Sequence, residues 1–199
     1  MFLRFRKMFV MLALCAAMTM TAAYASGLNV GFDIGAGAEM FTVSDATSVI
    51  VPGEVGLHAG VTLDAFRIYA TGRVGIGFEA THFHRFAKLG AASHWQAGAG
   101  LGYDAGYSMF DFTINTDFGL RGVEYSSHGI SDRVMSVYMT VAPGFMLGEG
   151  NPNANSDGRM TFPITVTYGK TSTSVSAGVA ISLTLDTQKR ARNANGGAK

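Results

Sequence analysis

The chain has 199 residues, a net charge of +1 and 15% charged residues, well under the roughly 25% of an average soluble domain. That balance leaves no global electrostatic case for binding nucleic acid, and 26 glycines with only 4 prolines suit strands with one small-residue face better than disorder. The length fits one domain.

The N-terminus reads as an export signal. Arg4, Arg6 and Lys7 precede an apolar stretch from Met8 to Met20, and Ala23-Tyr24-Ala25 then stands before Ser26. This small-x-small pattern predicts cleavage between Ala25 and Ser26 and removal of residues 1–25. The apolar stretch is shorter than the ~20 residues a spanning helix needs. Cys15, the one cysteine, lies inside it after Leu14, which is too large for a lipoprotein site. The mature chain therefore has no thiol for a disulfide or metal ligand.

From residue 26 to 186 the pattern is period-two alternation, which sorts a strand into two chemically different faces. The first run sets Leu28, Val30, Phe32, Ile34 and Met40 against Asn29, Asp33, Glu39 and several glycines. The second opposes Val55, Leu57, Val61 and Leu63 to Glu54, His58, Thr62 and Asp64, and the phase slips at Asp64-Ala65, as a tight turn requires. The third sets Phe66, Ile68, Val74, Ile76 and Phe78 against Arg67, Tyr69, Arg73 and Glu79.

The fourth run puts Ala91, Trp95, Leu101 and Tyr103 opposite His94 and Gln96, with Asp104-Ala105-Gly106 as its closing turn signal. In the fifth, Phe110, Phe112, Ile114, Phe118 and Leu120 face away from Asp111, Thr113, Asn115, Asp117 and Arg121. The sixth opposes Met135, Val137, Met139, Val141 and Phe145 to Ser136, Tyr138 and Thr140. A Gly/Asn/Pro-rich loop spans 148–158. The seventh run sets Met160, Phe162, Ile164, Val166 and Tyr168 against Arg159, Thr161 and Thr165, and the eighth sets Val175, Val179, Ile181 and Leu185 against Ser174, Ser176 and Thr184. Residues 187–199 form a basic, polar tail without periodicity.

A soluble sandwich or lipocalin also alternates. Three features point instead to a membrane. The smaller face is polar, whereas a soluble barrel packs large apolar side chains inside. Each run reaches the ~9–11 residues that cross a bilayer at a tilt. Aromatics gather at strand ends: Phe66, Tyr103, Tyr107, Phe110, Phe145 and Phe162 toward one interface, Phe78 and Tyr168 toward the other, with Phe83 and Phe86 in the loop beyond. Unpaired backbone groups in hydrocarbon cost several kcal/mol each, so the strands must close. The expected fold is an all-β, antiparallel, up-and-down transmembrane barrel of eight strands. Its outward loops are expected at 44–52, 80–88 and 122–132.

This pattern, over residues 28–186, resembles the small bacterial outer-membrane barrels typified by OmpX, the OmpA transmembrane domain and OmpW. The resemblance rests on alternation, turns and aromatic girdles, not on a signature motif. Such barrels usually end on an aromatic residue, where this last strand closes with Leu183-Thr184-Leu185-Asp186. The resemblance implies an outer-membrane location in a diderm bacterium. It also implies lipid, periplasmic chaperones and the barrel-insertion machinery as partners, and no cofactor.

Asp33, Glu39, Glu54, His58, Arg67, Arg73, Asp111, Asp117, Arg121 and Arg159 all fall on the lumen face. They would either gate a polar pore or neutralise one another and fill the interior. The narrow bore of eight strands favours the second. His82 and His84, with His94 downstream, have no acidic or cysteine companion within the loop and are read as exposed loop histidines, not a metal site, while His58 and His94 face inward on their strands. Neither a nucleophile elbow nor a metalloprotease motif is present, and the Gly-rich segments lie within strands, where they cannot cradle phosphate at a helix start. A non-enzymatic barrel is expected, monomeric, with a structural role or a narrow passage for small solutes (hydrophobic ones if the OmpW likeness holds). The alternatives are a surface-interaction barrel working through its loops and a soluble periplasmic ligand-binding barrel.

Overall fold

The computed structural model describes residues 27–43, 46–63, 65–83, 86–107, 110–125, 134–147, 156–170 and 172–186. The expected signal segment, its Ala25–Ser26 junction and the basic tail lie outside the described residues. Nine strand segments form one antiparallel sheet: β1 (Gly27–Val43), β2 (Ala46–Leu63), β3 (Phe66–Phe83), β4 (Phe86–Tyr107), β5 (Phe110–Tyr125), β6 (Val134–Leu147), β7 (Ser156–Thr161), β8 (Ile164–Gly169) and β9 (Ser172–Asp186). Each pairs with the next crossing, and β9 pairs back onto β1, so the sheet closes into a barrel.

β7 and β8 are two halves of one crossing. Both pair with β6 on one side and β9 on the other, and the register runs on unshifted from Thr161 to Ile164. Pro163 has no N–H to give, which interrupts the ladder there. The chain still bridges the gap: Phe162 N–H donates to Pro143 O at 2.8 Å, and Gly178 N–H to Pro163 O at 3.0 Å. The nine segments therefore make eight crossings, as the alternation predicts.

Following paired residues around the ring fixes the barrel's shape. Asn29 leads through Gly60, Tyr69, Gly100, Asp117, Thr140, Thr165 and Ser176 back to Glu39, ten residues farther along β1. A stagger of ten over eight crossings tilts the strands by about 40°. All nine of these residues lie on the inner face.

The strands are longer than the alternation suggests. β1 to β5 run from 16 to 22 residues, and three expected loops shrink accordingly. Ladder pairing continues to Val43–Ala46 and Phe83–Phe86, and β5 runs to Tyr125. Most of 44–52 and 80–88 is thus strand, as are residues 122–125 and 156–158. The apolar face thins in most of these stretches, which makes them resemble loops in sequence, but buried Ser48 between exposed Thr47 and Val49 keeps the strand phase.

The core is inverted. Outward positions carry the large apolar side chains, among them Leu57 at 68% and Phe118 at 66% exposure. Glu124, on β5, is the one charged residue at an outward strand position among those described. Phe66 packs on Tyr103 with ring centroids 4.9 Å apart, near the end that holds Gly27 and Asp186; Phe145 meets Phe162 at 6.2 Å, a step higher. Phe78 and Tyr168 stand exposed toward the other end, while the side chains of Tyr107, Phe110, Phe83 and Phe86 lie outside the described ones.

Candidate functional site

The inner face collects the chain's charges in stacked levels. At the floor, nearest the termini, Asp104 on β4 is the hub. Its Oδ1 accepts from Arg67 Nη2 at 2.9 Å and from the Thr113 hydroxyl at 2.7 Å, and its Oδ2 accepts from Arg159 Nη2 at 3.0 Å. Arg67 also donates to Thr113 and Asn115, and Arg159 to Thr184 at 2.9 Å with Asp157 at 3.7 Å. One carboxylate thus holds two guanidiniums from strands on opposite sides of the bore.

Above the floor, His58 Nε2 meets the Thr184 hydroxyl at 3.0 Å and its Nδ1 lies 3.4 Å from Asp33 Oδ2. The His58 ring stands edge-on to Tyr69 at 5.9 Å. Arg73 Nη1 donates to Asp117 Oδ2 at 3.5 Å. Higher again, His94 Nε2 lies 2.9 Å from Glu54 Oε1, and Arg121 Nη2 donates to Glu39 Oε2 at 2.5 Å. The buried cluster Phe41, Ile50, Ala92 and Val123 caps the stack.

Packing is uneven around the ring. Tyr69, Tyr138, Gln96, Arg67, Arg73 and Arg121 fill the β3–β6 side. On the side of β1 and β7–β9 the inner positions are Gly35, Gly37, Ser176, Gly178, Ala180 and Ser182, and a polar cavity of about 60 Å³ remains between them and Asp33, Glu54 and Arg73. A site of that size and polarity suits a few ordered waters. Thr165, on its lining, pairs hydroxyls with Thr140 at 2.8 Å, and farther along β8 Thr167 pairs with Ser174 at 2.5 Å.

Of the ten residues singled out in the sequence, nine lie within this interior. Asp111 shares their phase but sits exposed at the start of β5. Sequence reasoning misses Asp104, because Asp-Ala-Gly reads as a turn, yet β4 continues to Tyr107. A signal is present all the same: Asp104 keeps the even-numbered phase of His94 and Gln96. His94 is turned inward against Glu54, on the face that the alternation of the fourth run predicts. His84 and the His82 side chain lie outside the described residues.

Neither a family model nor a curated protein matches this sequence. Solved structures do match in shape. The crystal structure of Neisserial surface protein A is similar at 11% identity and a TM-score of 0.58, over 79% of this chain and 96% of that one. Ail, the attachment invasion locus protein of Yersinia pestis, is similar at 10% identity and a TM-score of 0.51, over 79% and 98%. A second Ail structure, in complex with the heparin analogue sucrose octasulfate, matches at 9% identity and a TM-score of 0.50. At these identities the likeness establishes the shared barrel fold.

Proposed function

We propose that the chain is an integral outer-membrane β-barrel with a sealed interior, acting as a structural, surface-exposed protein of the cell envelope. The observation that carries this is the inversion of the fold. The outer wall is apolar around the ring, while the charges are buried inside, where the Asp104 hub, the Glu39–Arg121 pair and the apolar cap close the bore. A wall of that kind is stable in hydrocarbon and insoluble in water. Its partners are then membrane lipid, periplasmic chaperones and the insertion machinery. A monomer is the working form we assign, since a ring that closes on itself leaves no strand edge for a second copy to pair with.

The test pairs fractionation with conductance. The protein should resist alkaline carbonate extraction, migrate anomalously on unheated gels and leave planar bilayers silent. Release by carbonate would end the membrane reading; steady conductance would end the sealed one.

The second reading is a narrow passage for small solutes, supported by the polar cavity along β9. It gains if Arg73→Ala, which widens that cavity, produces measurable conductance. A surface-binding role, such as the name of Ail states for that protein, would work through the ends opposite the termini; there only the 126–133 connection exceeds two residues.

A further inference from the structure

The outer wall is not smooth. Across β2 to β6 a cleft of about 810 Å³ opens along two neighbouring rows of outward positions, with the inward-phase residues between them, Gly75, His94 and Val123, also on its lining. One row runs Val55, Val74, Trp95, Gly122, Met135 in direct ladder register; the other runs Gly53, Ile76, Ser93, Glu124. The dips fall at the small residues. A Cβ at Gly53 would meet nothing nearer than 4.0 Å, so the space above it is open. A Cβ at Gly122 would collide with Trp95 Nε1, so the indole lies flat across that glycine and forms a wall.

We propose that this cleft is a lipid site that holds one acyl chain from the leaflet opposite the termini. The inference rests on the membrane reading above, in which the medium around this wall is hydrocarbon and the cleft continues the lipid-facing surface. The volume lies within the ~300–1,000 Å³ of small-molecule sites. Five crossings spaced ~4.8 Å apart give a trough of roughly 20 Å, the length of a long acyl chain. Ser93 and Glu124 close the end farther from the termini with polar groups, where a headgroup would sit. Trp95, Val74 and Ile76 supply the apolar sides.

Trp95 is the only tryptophan, which makes the test direct. The full chain is reconstituted in phosphatidylcholine vesicles whose acyl chains carry bromine, a short-range quencher of indole fluorescence. Three proteins are compared: wild type, Gly53→Leu and Ala177→Leu, the last placed on the far wall as a control. Gly53 is two strands from Trp95, so a side chain there fills the trough without covering the indole.

Quenching should be equal in wild type and Ala177→Leu and weaker by about two-fold in Gly53→Leu, since the brominated chain can no longer lie against the ring. Native mass spectrometry should find one phosphatidylcholine retained by wild type and Ala177→Leu and none by Gly53→Leu. Equal quenching and equal retention in all three would overturn the site. Carbonate resistance and heat-modifiable migration are scored on each sample. Failure of the wild type there removes the membrane reading itself, and failure of Gly53→Leu alone moves the comparison to Gly53→Ala.

Discussion

Arg121 and Glu39 meet at 2.5 Å although they stand on β5 and β1, half the ring apart, and each side chain is only 2% exposed. The pair is a strut across the bore. Removing one partner leaves the other charge buried and unmatched, which costs about 3–5 kcal/mol. Arg121→Ala and Glu39→Ala should each lower stability by that order. The double replacement Glu39→Gln/Arg121→Met should recover much of it, because the desolvation cost of both charges goes too. Urea unfolding in vesicles, followed by Trp95 fluorescence, measures all three; strict additivity of the single losses would show that the two residues do not interact.

Asp104 is the second strut, and the more consequential because it serves two arginines. Asp104→Ala leaves Arg67 and Arg159 facing one another, at 5% and 3% exposure, without a carboxylate between them. The loss should again reach about 3–5 kcal/mol, and Asp104→Asn should fall between, since its amide oxygen still accepts one bond. The midpoint temperature of the heat-modifiable gel shift checks the order Asp, Asn, Ala. A flat series would mean that Thr113, Asn115, Thr184 and the Asp157 carboxylate beside Arg159 suffice to hold the guanidiniums.

Two glycines of the wall should respond oppositely to one added methyl. At Gly100, inside the bore, a Cβ would sit 2.5 Å from Tyr69 Cζ and 2.7 Å from Thr116 O. Tyr69 cannot retreat, as His58 flanks it, and Gly100→Ala should cost about 1–3 kcal/mol. At Gly53 the space is open, and Ala there should be neutral or stabilise by about 0.4–1 kcal/mol through the unfolded chain. The same vesicle unfolding assay compares them.

These contrasts separate what alternation carries from what it cannot. Period two identifies the inner face of every crossing, because a strand's side chains must alternate whatever surrounds them. Nine of ten candidate charges therefore lie inside. The period also holds through Phe162-Pro163, where the hydrogen-bond ladder itself breaks. Strand ends are less legible. Asp104 looks like a turn residue because aspartate before Ala-Gly favours turns locally, and only its place in the ring makes it a floor. Partners are not legible at all: nothing near Glu39 in sequence indicates Arg121, since their meeting depends on a stagger of ten around the barrel, a property of closure.

Closure also permits a substitution that separates the membrane reading from a water-soluble barrel. Leu57 lies near mid-height on the outer wall and is 68% exposed. In water, Leu57→Arg exchanges one exposed side chain for a better-solvated one, so stability should stay within about 0.5 kcal/mol. In hydrocarbon the same change places a guanidinium at mid-bilayer and should cost about 2–4 kcal/mol, against about 0–1 kcal/mol near an interface. Thr173, exposed at the start of β9, is the matched interfacial site. The expected result in vesicles is a large loss for Leu57→Arg and a small one for Thr173→Arg, measured as urea midpoints at equal lipid-to-protein ratio. Equal small losses at both sites would mean that water, not lipid, surrounds the wall, and the carbonate result would then have to change with them.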